Sequence, residues 1–253
     1  MHLILAFPPD LISEASDIRA ETAYMIYRAG RDGHLYRAGT ETLPSGGIMV
    51  LDDGGNPFAG SPVLLAGETM REAYTRRCSG ILLDLRKGQS AQPGALAALI
   101  GSECKKRGMK LYLPEHLAES SDHAVILVET ALSGGSLQRK LREAVAKYGA
   151  GRTALDIERM RMDFTLPSGG GQGKPLGVED LKSLFVKYNA RSFFSSELCA
   201  WYFNYQADGK VHFVLYDDLE SIRRKISLAS RLGITESLLC YTEVSDIIKA
   251  LAG

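Results

Sequence analysis

The chain has 253 residues, 45% hydrophobic and 24% charged, with 30 Lys and Arg balancing 30 Asp and Glu. That length suits one α/β barrel or two small domains, and the apolar content is enough for a sizeable core. The charge balance excludes the basic footprint of a nucleic-acid or anionic-membrane binder, and no apolar run of 18 residues is present to span a bilayer.

Residues 3–7 (LILAF) read as a short apolar strand, stopped by Pro8-Pro9 and too short for the core of a signal peptide. Residues 23–27 form a second strand that runs into the turn signal Arg31-Asp32-Gly33-His34, so 26–36 is a hairpin or a strand and loop. Residues 47–51 are apolar and end in Asp52-Asp53-Gly54-Gly55, as a barrel strand entering its active-face loop does. A helix over 68–77 leads into Cys78-Ser79-Gly80-Ile81-Leu82-Leu83-Asp84-Leu85-Arg86-Lys87. That run is continuously apolar until it breaks into charge, the pattern of a parallel strand buried on both faces.

The rhythm then repeats. A helix with Leu96, Leu99, Ile100 and Cys104 on one face precedes a strand at 109–113, stopped by Pro114-Glu115. Residues 124–128 are the next strand, ending at Glu129. Ser136 is placed to cap a helix whose Leu137, Leu141, Ala144, Val145 and Tyr148 share a face. Charges interrupt any clean period over 153–164, leaving a less regular strand region. The glycine-rich stretch 168–175 lacks the G-x-x-x-x-G-K-[ST] spacing of a phosphate cradle and reads as an active-face loop. A helix follows over 178–188.

Residues 201–205 and 211–216 flank Asp208-Gly209 as an aromatic hairpin. Asp217-Asp218 is placed to cap a helix carrying Leu219, Ile222, Ile226, Ala229 and Leu232. Residues 237–241 are the last strand, and a closing helix opens at Ser245. Alternation of this kind predicts an α/β fold, a parallel sheet with helical cover, with a β-hairpin insertion at about 195–216 before the last strand.

Two blocks carry a resemblance. Ser79, Gly80, Leu82, Asp84 and Arg86 fall on a D-G-x-D-x-D-x-E pattern, matching at Gly80 and Asp84. Phe203-Asn204-Tyr205, then 212–218 (HFVLYDD), then Ser221-Ile222-Arg223-Arg224-Lys225, follow an F-x-Y, h-x-V-w-Y-x-D, S-i-x-x-K order. Together these resemble the family 18 glycoside hydrolases, the chitinase-like barrels, over roughly residues 80–241. With the alternation, the resemblance implies a (β/α)8 TIM barrel spanning 1–253 as one domain, closed by pairing of 3–7 with 237–241. The likeness is greatest to the branch of bacterial spore-germination and cortex-associated proteins.

The resemblance implies a catalytic centre at this strand end, in which a Glu protonates the leaving oxygen and the substrate's acetamido group acts as nucleophile. Here Arg86 occupies the Glu position, and a guanidinium gives up no proton near neutral pH. The family's M-x-Y-D, whose Tyr and Asp hold the acetamido group, falls on Val128-Glu129-Thr130-Ala131. Its last-strand Trp falls on Cys240 or Tyr241. The family motif is therefore degenerate, and Asp84 survives of the usual catalytic residues.

Three readings stay open. The leading one is a catalytically inactive barrel that binds an N-acetylglucosamine-containing glycan or acts as an interaction module. The second is an active glycosidase using displaced carboxylates, with Asp84 and Glu129 as catalytic residues. The third is an unrelated cytoplasmic barrel enzyme acting on a small metabolite. Candidate substrate-binding residues are Tyr241, Trp201, Asp52, Asp53 and Glu115, an aromatic and acidic set suited to stacking and hydrogen-bonding a sugar.

Five histidines lack any ligand spacing, so neither metal nor cofactor is expected, and His212 reads as structural. Four cysteines without a C-x-x-C pair read as free thiols in a reducing, cytoplasmic compartment, with secretion after removal of a leader left open.

Overall fold

The computed structural model describes residues 1–39, 45–166 and 173–252. Its strands, in chain order, are β1 (His2–Phe7), β2 (Glu21–Ala29), β3 (Leu35–Arg37), β4 (Ile48–Asp52), β5 (Gly80–Asp84), β6 (Lys110–Pro114), β7 (Val125–Glu129), β8 (Thr153–Ile157), β9 (Arg161–Leu166), β10 (Lys174–Pro175), β11 (Phe193–Ser195), β12 (Ala200–Ala207), β13 (Lys210–Tyr216) and β14 (Glu236–Cys240). The α-helices are α1 (Pro62–Thr75), α2 (Gln92–Arg107), α3 (Leu137–Tyr148), α4 (Val178–Tyr188), α5 (Leu219–Arg231), α6 (Tyr241–Val244) and α7 (Ile248–Ala252).

Among those residues, β1, β2, β4 to β8 and β14 form eight parallel strands closed into a (β/α)8 barrel. Closure is the pairing expected from the sequence: Leu3 lies opposite Ser237 and Leu5 opposite Leu239. β3 folds back antiparallel on β2, so the 26–36 segment is a hairpin. Of the glycine-rich stretch, 168–172 lies outside the described residues.

Strand parity divides the core. Ile4, Ala6, Ile48, Val50, Leu82, Tyr112, Leu127, Ala154 and Leu238 fill the barrel, while the alternate residues pack outward against the helices. Polar groups close the floor: Glu236 accepts from the Tyr112 hydroxyl (2.9 Å) and pairs with Lys110, and Glu21 pairs with His2.

Gly80, one of the two motif matches, is needed for close approach. A Cβ there would stand 2.9 Å from the Lys110 carbonyl oxygen on the adjoining strand. Gly80→Ala should therefore destabilise the chain by about 1–3 kcal/mol, read as a fall in thermal midpoint. An unchanged midpoint would show that the strands yield.

A second sheet of five antiparallel strands, ordered β10-β9-β13-β12-β11, is inserted before β14. The expected aromatic hairpin is β12–β13. β9 joins it from beyond β8, so the sheet begins at Arg161 rather than near residue 195. One face carries Phe203 and Val214 against α4, and the other carries Leu215 and Met162 toward Ala131 and Leu132 after β7. His212 sits within this sheet, with Nδ1 3.0 Å from Asp163 Oδ1 and its ring stacked on Tyr205 at 4.5 Å.

The D-x-x-x-S-x-x-x-K part of the second sequence block fastens the insertion to the barrel. Asp217 is buried and accepts from Lys225 Nζ (2.6 Å), Ser221 Oγ (2.7 Å) and the Met160 backbone N–H (3.0 Å). Asp218, not Asp217, caps α5, accepting from the Ser221 N–H at 2.8 Å.

All four cysteines are free, and burial raises the thiols of Cys78 to about 11 and Cys104 to about 12, leaving them unreactive. Among the described residues no helix is long and apolar enough to cross a membrane.

Candidate functional site

The inward parity that builds the barrel core also decides what stands at its C-terminal mouth, the end where barrel enzymes place their sites. Asp52 follows Ile48 and Val50 on β4, and Asp84 follows Gly80 and Leu82 on β5. Glu129 follows Val125 and Leu127 on β7, and Asp156 follows Ala154 on β8. The register sets Asp52 directly opposite Asp84 and Glu129 directly opposite Asp156. Neighbouring strands are about 4.8 Å apart, so carboxylates remote in sequence stand as two adjacent pairs.

Beneath them lies a cavity of about 270 Å³, walled by Met25, Val50, Leu82 and Leu238 and rimmed by Asp84, Asp156, Glu158 and Glu243. A wider groove of about 740 Å³ runs between the mouth and the inserted sheet, past Met162, Phe164 and Arg161. Glu158 and Glu243 line both spaces, so the groove leads into the cavity.

Crowding of like charge under a low-dielectric rim shapes the electrostatics. Burial, reinforced by Glu158, Asp84, Glu129 and Glu243, pushes the Asp156 carboxyl up to about 7. Glu158 is raised by burial and then by Glu129 and Glu243. Asp84 is raised by burial and by Asp52 and Asp53, against opposing pulls from Arg86 and His116. Asp52 is raised by burial, with the Gly54 N–H and Arg28 opposing. A carboxyl raised to about 7 can give or take a proton near neutral pH.

The sequence-derived candidates divide. Asp84, Glu129 and Asp52 meet at the mouth. Asp53 is buried and engaged in holding loops together, accepting from the backbone N–H groups of Arg86 (2.9 Å) and Gly55 (3.2 Å). Glu115 pairs with Lys140 at 3.3 Å, whose Nζ also donates to the Glu129 carbonyl. Trp201 lies in the inserted sheet, donating to Asp218 at 3.0 Å and packed edge-on to Phe194.

Tyr241 is buried in the outer core, stacked on Phe7 at 4.7 Å with its hydroxyl on Glu14. Its neighbour Cys240 has the inward parity and lines the cavity. Asp84 and Arg86, two residues apart, form no ion pair, and the Arg86 guanidinium lies over Gly55.

Sequence reasoning missed Asp156 and Glu158. The available signal was Ala154, Asp156 and Glu158 at alternate positions of a strand ending in acid, as β4, β5 and β7 do. Thr130, one of the two residues at the M-x-Y-D position, is fully buried with Oγ1 unpaired. Its N–H donates to the Asp156 carbonyl at 3.0 Å.

No protein-family model matches the sequence, and no curated protein does. Solved structures match across nearly the whole chain. A chitinase from Chromobacterium violaceum ATCC 12472 has a TM-score of 0.74 at 19% identity, covering 100% of this chain and 98% of that one. The spore cortex-lytic enzyme SleL of Bacillus cereus has a TM-score of 0.68 at 17% identity, covering 96% and 71%. A mutant GH18 chitinase from Cycas revoluta, in complex with (GlcNAc)4, has a TM-score of 0.64 at 14% identity, covering 98% and 97%. At these identities the likeness is one of fold, and the chain has the (β/α)8 barrel of the family 18 chitinases.

Proposed function

We propose that this chain binds an N-acetylglucosamine-containing glycan across the barrel mouth and does not hydrolyse it by the family 18 route. Arg86 carries the reading. It stands two residues beyond Asp84, where a proton donor is required, and a guanidinium is charged at every accessible pH. Thr130 and Ala131 at the end of β7 offer neither a phenol nor a carboxylate to orient an acetamido nucleophile. The open groove supports an extended ligand, and the (GlcNAc)4 held by the Cycas revoluta chitinase supports the ligand class. Asp84, Glu129 and Asp52 are the hydrogen-bonding groups of this site.

Loss of general acid catalysis removes about 10²–10⁴ in rate, and loss of a positioned nucleophile compounds it. Wild-type protein incubated with chitin oligosaccharides should therefore bind them and release no products above background. Arg86→Glu alone should not restore turnover. Clear hydrolysis by the wild type would overturn the reading.

Asp156 favours a second reading. A carboxyl that stays protonated to about pH 7 beside Glu129 has a proton it can transfer, which the Arg86 guanidinium does not give up, and would act as a displaced acid. Glu129, one of the two displaced carboxylates expected from sequence, then serves as its partner. Turnover by the wild type that disappears in Asp156→Asn while oligosaccharide binding persists would establish this reading over the first.

A further inference from the structure

Among the described residues, the cavity at the mouth is lined by four carboxylates, Asp84, Asp156, Glu158 and Glu243, and by no basic side chain. Arg161 lines the adjoining groove and His116 acts on Asp84 from outside the cavity, while the other nearby cations are occupied or turned aside. Arg28 lies 3.7 Å from Asp52, the Arg86 guanidinium lies over Gly55, and Arg159 is committed to Asp246 and to the backbone oxygens of Asp217 and Glu243. Asp156 points into this space from the strand position above Ala154, and its carboxylate has no hydrogen-bond partner among the described residues.

The acidity is local, because the chain's formal net charge is zero. Among the described residues no three His, Cys, Asp or Glu side chains are placed to share a metal ion. What the cavity lacks is a compact cation with several donors. An ammonium supplies three N–H groups, favours the ionised, acceptor-only form of the crowded acids and relieves their mutual repulsion. An acetamido group brings one donor, an acceptor that faces acids, and no charge.

Resting on the reading of the mouth as a glycan site, we propose that the sugar unit seated there carries a free amino group. The preferred ligand is a glucosamine-containing, de-N-acetylated glycan.

Calorimetric titration of the whole protein with a glucosamine hexamer and with an N-acetylglucosamine hexamer tests this. At low salt the glucosamine hexamer should bind at least tenfold more tightly, and the ratio should shrink toward one at about 0.5 M salt as screening sets in. Asp156→Asn and Glu158→Gln should each lower the ratio, whereas Glu119→Gln, an exposed acid remote from the mouth, should leave it unchanged. Equal affinities, or preference for the acetylated hexamer, would overturn the inference and leave the glycan reading standing. A preference that survives both mouth substitutions would overturn its assignment to this cavity. Binding of neither hexamer would overturn the glycan reading and the inference with it.

Discussion

Lys225→Met should cost the fold about 3–5 kcal/mol, the range for removing one partner of a buried ion pair. Lys225 and Asp217 are 1% and 0% exposed, so no solvent takes over when the ammonium is lost. Asp217 would keep Ser221 and the Met160 N–H as donors but would hold an uncompensated charge at the junction of α5, β8 and the inserted sheet. Urea denaturation should show a lower midpoint with an unchanged slope. The double variant Asp217→Asn/Lys225→Met should recover most of the loss, because no net charge is then buried. A single variant within about 1 kcal/mol of wild type would mean that the pair does not fasten the insertion.

Asp156→Asn should have the opposite sign and a pH dependence. The Asp156 carboxyl is raised to about 7 in the folded chain from 3.8 in the unfolded one. Between those values the folded state holds a proton that the unfolded state has lost, so stability falls as pH rises through the window. Above it, ionised Asp156 opposes folding by about 2–4 kcal/mol. Asparagine carries no such charge. The variant should therefore be more stable than wild type by that amount near pH 8, and by progressively less toward pH 4. Denaturation curves at the two extremes read the difference directly. An advantage that does not change with pH would refute the strained carboxyl. Stability given up at one acid in a cavity is the usual mark of a site kept for binding or chemistry.

Parallel barrel strands announce themselves as apolar runs between turn residues, and here the runs at 3–7, 47–51, 78–85, 109–113, 124–128 and 237–241 correspond to β1, β4, β5, β6, β7 and β14. Ser136 and Asp218 cap their helices as read, because capping depends on neighbours three residues away. β8 was less legible: Asp156, Glu158 and Arg159 interrupt its apolar pattern, and those charges belong to the mouth and to the clamp that holds the C-terminal segment. Asp217 looked like half of a capping pair. Its role as a buried counter-ion depends on Lys225 two helical turns away and on a backbone N–H contributed from beyond β8.

The sequence by itself determined the barrel's apolar strands and put an arginine two residues beyond Asp84, because apolar periodicity and the identity of a single residue are local properties. The make-up of the site was decided by tertiary structure. Strand pairing sets Asp52 against Asp84 and Glu129 against Asp156, and only the folded barrel creates the burial, and then the crowding, that raise the Asp156 carboxyl. A single step of strand parity then sends Cys240 into the cavity and Tyr241 into the outer core. Side-chain direction alternates with every residue along a strand, so a motif aligned to within one residue leaves that choice open until the strand is paired.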